Sequence, residues 1–394
     1  MARFRPLRHL LHGAIVCTVL GAVASCGSRT GLFGPELSEL VDGAVDIPDV
    51  RPDRDGRADA PVDAPIDVIE EPLGCVPGTF AFTLATPQLM FVLDRSGSMN
   101  WTLTGTTHAP FGQARWNVLE DSLMHVITPF SDEIAMGARF FPAVNATGFE
   151  PFACIQDTPA RAISPALGNA GKILDVFQSS VPNGGTPTAV ALQHAAQDIS
   201  SSRAVARAMV VATDGAPNCN GALDGATCAC TGAGPNDCSS QSGGTNCLDN
   251  VRTVQTITDI FANRKIPVYV IGIGVIRGFG STLDAMAVAG GRPRNTSPRY
   301  YPAETPAEMT AAFTAVRDSV AKCSYITPSS PVDPNAITVE INGVSVVRDP
   351  THSDGWDWLD QDFGHLQLFG SACALATPSN VSGTITCDGP EPDQ

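Results

Sequence analysis

Asp94, Ser96 and Ser98 stand at alternate positions in Asp94-Arg95-Ser96-Gly97-Ser98, directly after the unbroken apolar run Leu89-Met90-Phe91-Val92-Leu93. One carboxylate and two hydroxyls at that spacing give three oxygens that a turning backbone can aim at one point. Hard divalent cations take such a donor set. The same residue types also build ordinary turns. Two further segments carry similar chemistry. Gly184-Gly185-Thr186-Pro187-Thr188 puts the Thr186 hydroxyl in a Gly-rich turn ahead of a helical pattern, and Val210-Val211-Ala212-Thr213-Asp214-Gly215 ends a second apolar run on the Asp214 carboxylate. In a parallel sheet the strand ends open on a common crevice. The three loops are therefore expected to converge.

Taken together, these segments resemble the von Willebrand factor A (vWA) domain family with a metal-ion-dependent adhesion site. The family motif maps by residue type and order onto Asp94, Ser96 and Ser98, then Thr186, then Asp214, and the resemblance covers about residues 86–322. It implies a bound Mg²⁺, or Mn²⁺ or Ca²⁺, with Asp94, Ser96, Ser98 and Thr186 supplying oxygens directly or through water. Asp214 would act through a bound water. It also implies an open coordination position for an Asp or Glu carboxylate of a protein partner. Arg95 is read either as steering that acid or as a plain surface residue.

The elements that must position these residues alternate along the chain. Apolar runs predict strands over 89–94, 134–141, 208–213 and 267–273, with a short one near 299–301. Helical spacing predicts helices over 113–127, 187–201, 251–264, 281–289 and 306–321. Such alternation implies an α/β fold, a doubly wound, mostly parallel Rossmann-like sheet covered on both faces. Residues 134–141 are taken as an antiparallel edge strand, as in the resembled family. After Cys323 the pattern changes to short strands at 336–341, 344–347, 356–359, 365–369 and 381–386, with a hairpin signal at Asn342-Gly343. Residues 75–323 are thus assigned to the vWA domain and 324–394 to a small β appendage. Trp356, Trp358 and Phe363 form the appendage's core or a carbohydrate platform.

Twelve cysteines are present. Ten lie in the globular part, and an even set of this size points to disulfides and an oxidising compartment. Five of them, Cys219, Cys228, Cys230, Cys238 and Cys247, fall in a polar insert, 215–250, that follows Asp214 directly. An odd number requires one bridge leaving the insert, and Cys154 is assigned to it. Cys75 is paired with Cys323, since both flank the domain, and Cys373 with Cys387. The alternative is a zinc site from Cys228, Cys230, Cys238 and Cys247, although the C-x₂-C spacing of zinc ribbons is missing. The insert is expected on the metal face, as a functional loop or as a disulfide-knitted decoration.

Residues 1–25 read as a secretory signal, with Arg3, Arg5 and Arg8 ahead of an apolar stretch. Val23-Ala24-Ser25-Cys26 resembles a bacterial lipobox, so Cys26 is expected to carry lipid and to anchor the protein by lipid alone. Gly27 after it, by resemblance to proteobacterial lipoproteins, implies the outer membrane of the cell envelope. The alternatives are a secreted protein with Cys26 in a disulfide or an uncleaved anchor. Residues 26–74 read as an acidic Pro/Asp-rich tether, with twelve acidic residues against three arginines between 36 and 71. The net charge of −16 argues against nucleic acid as a partner. No enzyme is expected. No histidine stands in a metal-ligand or nucleophile pattern, no G-x-S-x-G surrounds Ser96 or Ser98, and the glycines at 272, 274 and 278 miss G-x-G-x-x-G. The primary expectation is a metal-dependent protein-binding lipoprotein. A structural or assembly subunit of an envelope complex comes next, and a metal-dependent hydrolase last.

Overall fold

The structure is a computed structural model. It describes residues 71–387, apart from 106, 148–152, 157–161, 200–204, 233–237, 239–243 and 277. The expected signal, the Cys26 anchor and the tether up to residue 70 lie outside the described residues. Among the described residues, no helix is long and apolar enough to cross a membrane.

In chain order the chain forms β1 (Gly78–Ala81), β2 (Thr83–Leu84), β3 (Thr86–Asp94), α1 (Arg115–Ile127), β4 (Ala135–Phe141), β5 (Ile163–Ala166) and α2 (Ala170–Ser179). Next come α3 (Thr188–Asp198), β6 (Val205–Thr213), α4 (Asn250–Arg264), β7 (Val268–Ile273), α5 (Gly280–Ala289), β8 (Tyr301–Ala303) and α6 (Pro306–Lys322). The last elements are β9 (Ser324–Ile326), β10 (Ile337–Ile341), β11 (Val344–Val346), β12 (Gly355–Asp360), β13 (His365–Phe369), α7 (Gly370–Leu375) and β14 (Val381–Ile385).

Six strands make the central sheet in the order β5-β4-β3-β6-β7-β8. All pairs are parallel except β4–β5. The doubly wound α/β reading therefore holds. Its strands read as continuous apolar runs because both sheet faces are covered. Leu89, Phe91 and Leu93 point into one core with α1, α2 and α6, while Met90 and Val92 point into a second core with α3, α4 and α5. In the first core Trp116 lies 4.2 Å from Phe177 and 6.0 Å from Phe140, ring centre to ring centre. Helix α6 starts at Pro306, where the sequence pattern predicts it. Glu308 N donates to Thr305 Oγ1 at 3.2 Å, and Thr305 N donates to Glu308 Oε2 at 3.0 Å, ahead of Pro306.

One expectation about the sheet is corrected. Residues 135–141 pair in parallel with β3 and are not at the edge. The antiparallel edge strand is β5, which the sequence pattern conceals because Pro165 lies inside it. At Gly137 of β4 an added Cβ would meet Ile163 O at 2.6 Å, so glycine is needed for that edge to close. Helix α2 was also unanticipated, since Gly168 and Gly171 blur its start.

The C-terminal strands do not form an appendage on their own. β1 and β2, from the N-terminal side of the α/β unit, complete two four-stranded sheets, β1-β14-β10-β11 and β12-β13-β9-β2. Their shared core includes Phe82, Tyr325, Val339, Trp356, Leu366 and Val381. The domain boundaries expected at 75 and 323 therefore cut through one β unit built from both chain ends. Asn342 and Gly343 have φ of 53° and 75°, as the expected hairpin requires. Trp356 is buried and its indole donates to Val346 O at 3.1 Å, a core role.

This topology also corrects two disulfide assignments. Cys75 pairs with Cys387, and Cys323 with Cys373. The antiparallel register sets Gly78 opposite Ile385, which brings residues 75 and 387 to the same end of one strand pair. Cys323, between α6 and β9, meets Cys373 on α7.

Candidate functional site

Strand β3 lies mid-sheet and ends on Asp94; its neighbour β6 ends one residue before Asp214. The register pairs Leu93 with Ala212, so both carboxylates emerge side by side at the same sheet edge. Asp94 is fully buried. Its Oδ1 accepts from Ser96 N at 2.7 Å and its Oδ2 from Thr213 Oγ1 at 2.5 Å. The chain then turns, and Ser96 Oγ comes within 3.1 Å of Ser98 Oγ. Ser98 Oγ donates to Asp214 Oδ1 at 2.8 Å.

The third loop is tied to the first by Gly97 N, which donates to Gly184 O at 3.0 Å. Gly184 has φ of 85°, and a Cβ there would strike Ala153 O at 2.6 Å; only glycine passes. The next residues bring Thr186 into the wall of the same cleft, where it is largely buried. Thr186 N donates to Asn218 Oδ1 at 2.7 Å, and Asn218 N to Thr186 O at 2.9 Å. The insert thus fixes the Thr186 loop from its first residues onward.

The cleft has a volume of about 930 Å³. Ser96, Ser98, Thr186 and Asp214 line it, and Trp101, Ile276 and Phe279 add an apolar rim. The insert contributes Asn218, Cys230, Thr231 and Asn246 to its wall. Cys154–Cys219 ties the insert to the body, and Cys228–Cys247 and Cys230–Cys238 knit it internally. The sulfurs of Cys228, Cys238 and Cys247 lie within 4.8 Å of one another. All three are in disulfides, so none is a thiolate for zinc, and the zinc alternative is set aside.

Burial, and then the neighbouring Asp214 charge, pushes the Asp94 carboxyl up to about 7, against the hydrogen bonds from Thr213 and Ser96. Burial also pushes Asp214 up, while the Arg115 guanidinium, bonded to Asp214 Oδ2 at 2.5 Å, pulls it back. Arg115 thus pairs with Asp214, while the hydrogen bonds to the Asp94 carboxyl come from Thr213 and Ser96, neither of which carries charge. A donor set of carboxylates and hydroxyls only fits a hard divalent cation.

Two residues depart from expectation. Arg95 neither steers a ligand nor lies at the surface. It is buried, and its guanidinium donates to the carbonyls of Pro142, Ala143 and Val181, binding the loops behind the site. Arg115 was overlooked, because nothing near position 115 signals a partner 99 residues away. Thr213 and Asn218 were overlooked as well. Thr213 is the residue before Asp214, and its hydroxyl was legible in the strand-end run.

No protein-family model matches the sequence, and no curated protein matches it. Solved structures do superpose, and they include vWA-domain proteins. The PilB minor pilin from Streptococcus sanguinis is 15% identical with a TM-score of 0.43, over 60% of this chain and 62% of that one. The pilus adhesin SpaC from Lactobacillus rhamnosus GG is 15% identical with a TM-score of 0.41, over 78% of this chain and 40% of that one. A von Willebrand factor type A protein from Catenulispora acidiphila is 11% identical with a TM-score of 0.38, over 83% and 68%. The chain spans less than two thirds of the first two. Likeness at this level says nothing about what this chain binds.

Proposed function

We propose that the cleft is a metal-ion-dependent adhesion site of the vWA type, through which the protein binds a partner protein at the cell envelope. The reading rests on one observation: Ser96, Ser98 and Asp214 are linked oxygen to oxygen at 3.1 Å and 2.8 Å, beside buried Asp94 and with Thr186 in the same wall. Asp94, Ser96, Ser98 and Thr186 would hold Mg²⁺, Mn²⁺ or Ca²⁺. Asp214 would act at one remove, since its oxygens are engaged by Ser98 and Arg115. When bound, the cation supplies an electrophilic centre that a partner's Asp or Glu carboxylate can occupy. Trp101 and Phe279 add apolar surface to the cleft, and the insert residues Thr231 and Asn246, bonded to each other through Thr231 Oγ1 and Asn246 O at 2.8 Å, add polar surface. Five disulfides support an oxidising, extracytoplasmic setting. Lipid on Cys26 is part of the same proposal.

Crosslinking on intact cells, with partners identified in Mg²⁺ and in EDTA, tests this reading. Partners that appear only with Mg²⁺, and that disappear in Asp94→Ala, support it. A partner profile indifferent to both changes overturns it in favour of an assembly subunit. Intact mass showing no acyl group on Cys26 overturns the anchor.

A further inference from the structure

Asp214 already has a cationic partner. Arg115, the first residue of α1, donates through Nη1 to Asp214 Oδ2 at 2.5 Å, and the two side chains are 3% and 0% exposed. The rest of the guanidinium is held as well. Nε donates to Thr102 O at 3.1 Å and Nη2 to Gly105 O at 3.0 Å, and the Trp101 ring centre lies 5.6 Å away. The other Asp214 oxygen accepts from Ser98, a candidate ligand residue. Arg115 therefore stands in the wall of the cleft and ties the 101–105 segment of its rim to the carboxylate at its floor.

We propose that Arg115 is a resident counter-ion of the candidate metal site, a positioning residue that neutralises Asp214 and so limits how tightly a divalent cation is held. This rests on the metal-site reading above. Two buried carboxylates at adjacent strand ends repel each other, and a buried charge without a partner is costly. With Arg115 paired to Asp214, Asp94 is the carboxylate of the two that is left to attract a cation. A loaded site then carries one net positive charge, which an acidic side chain of a partner can cancel. Arg115 thereby makes firm metal retention depend on the partner's acid, and it links that state to the rim through Thr102 and Gly105.

The test is Mg²⁺ titration by calorimetry, with thermal unfolding in EDTA and in Mg²⁺, on the wild type, Arg115→Met, Arg115→Gln and Arg115→Lys. Loss of the charge in Arg115→Met should tighten Mg²⁺ binding about tenfold or more, since one opposing charge is removed beside the site. The same variant should melt earlier in EDTA and recover in Mg²⁺. Arg115→Lys, which keeps the charge but loses the fork of donors to Thr102 and Gly105, should show clearly less tightening of Mg²⁺ binding than Arg115→Met. If Arg115→Met fails to fold, Arg115→Gln reports the same charge loss with hydrogen bonding kept. A purely structural role predicts weaker binding in the charge-removing variants, and that result, or unchanged affinity, overturns the inference while the metal site stands. A wild type that takes up no Mg²⁺ overturns the metal reading and this inference together.

Discussion

The Thr213 hydroxyl donates to Asp94 Oδ2 at 2.5 Å, so the last residue of one central strand holds the last residue of its neighbour. Thr213→Val keeps the shape and removes the donor, leaving a buried carboxylate oxygen unsatisfied. The expected loss is about 1–3 kcal/mol. Urea unfolding of the metal-free protein at pH 8 measures it, and a loss below about 0.5 kcal/mol would show that the hydroxyl is not needed.

Asp94 makes the metal-free protein pH-sensitive. Its carboxyl is raised from 3.8 to about 7, so the folded state binds a proton that the unfolded chain has lost. Stability should therefore fall as pH rises from about 4 to about 7, and Mg²⁺ should restore it at the upper end. Mg²⁺ affinity should weaken as pH falls through about 7, as the proton competes for Asp94. Urea unfolding at about pH 5.5 and pH 8, with and without Mg²⁺, checks the first, and calorimetric titrations at the same two values check the second. Equal affinity at the two values contradicts the assignment, and so does unchanged Mg²⁺ affinity in Asp94→Ala.

His365 works in the opposite sense. Burial, aided by Arg207 and Arg292, pushes its imidazole from 6.5 down to about 3. Its contribution is complete above about pH 6.5 and is lost as pH falls toward 3, at up to about 1.4 kcal/mol per pH unit. His365→Leu should flatten the acid side of the stability curve relative to wild type between pH 6 and 4. Parallel curves would refute the assignment.

The covalent pairing can be read directly. Peptide mapping without reduction should recover Cys75–Cys387, Cys323–Cys373 and Cys154–Cys219. A Cys75–Cys323 peptide would contradict the β unit built from both chain ends. Cys75→Ser should destabilise by about 2–4 kcal/mol, the usual range for a bridge across a long loop.

The insert should matter for recognition more than for folding. Replacing 219–247 with a short Gly-Ser turn, together with Cys154→Ser, removes Thr231 and Asn246 from the cleft wall and keeps Asn218. Mg²⁺ affinity is expected to persist while the captured partners change. An unchanged partner profile would reduce the insert to decoration.

The sequence alone determined whatever depends on local pattern. The central strands stand out because a strand covered on both faces must be apolar at every position, as in 89–93 and 208–212. The Asp94 and Thr186 loops were legible because their glycines and hydroxyls sit within five residues of one another. The start of α6 at Pro306 and the Asn342-Gly343 hairpin were local in the same way. Tertiary structure decided the rest. Strand pairing brings β1 and β2 to the C-terminal sheets, and with them Cys75 to Cys387, 312 residues apart. It also places β4 inside the sheet, turns Arg95 inward onto three carbonyls and seats Arg115 on Asp214. None of these partners leaves a periodic mark, because a buried ion pair or a disulfide is specified by the meeting of two distant backbone segments and not by the residues beside either one.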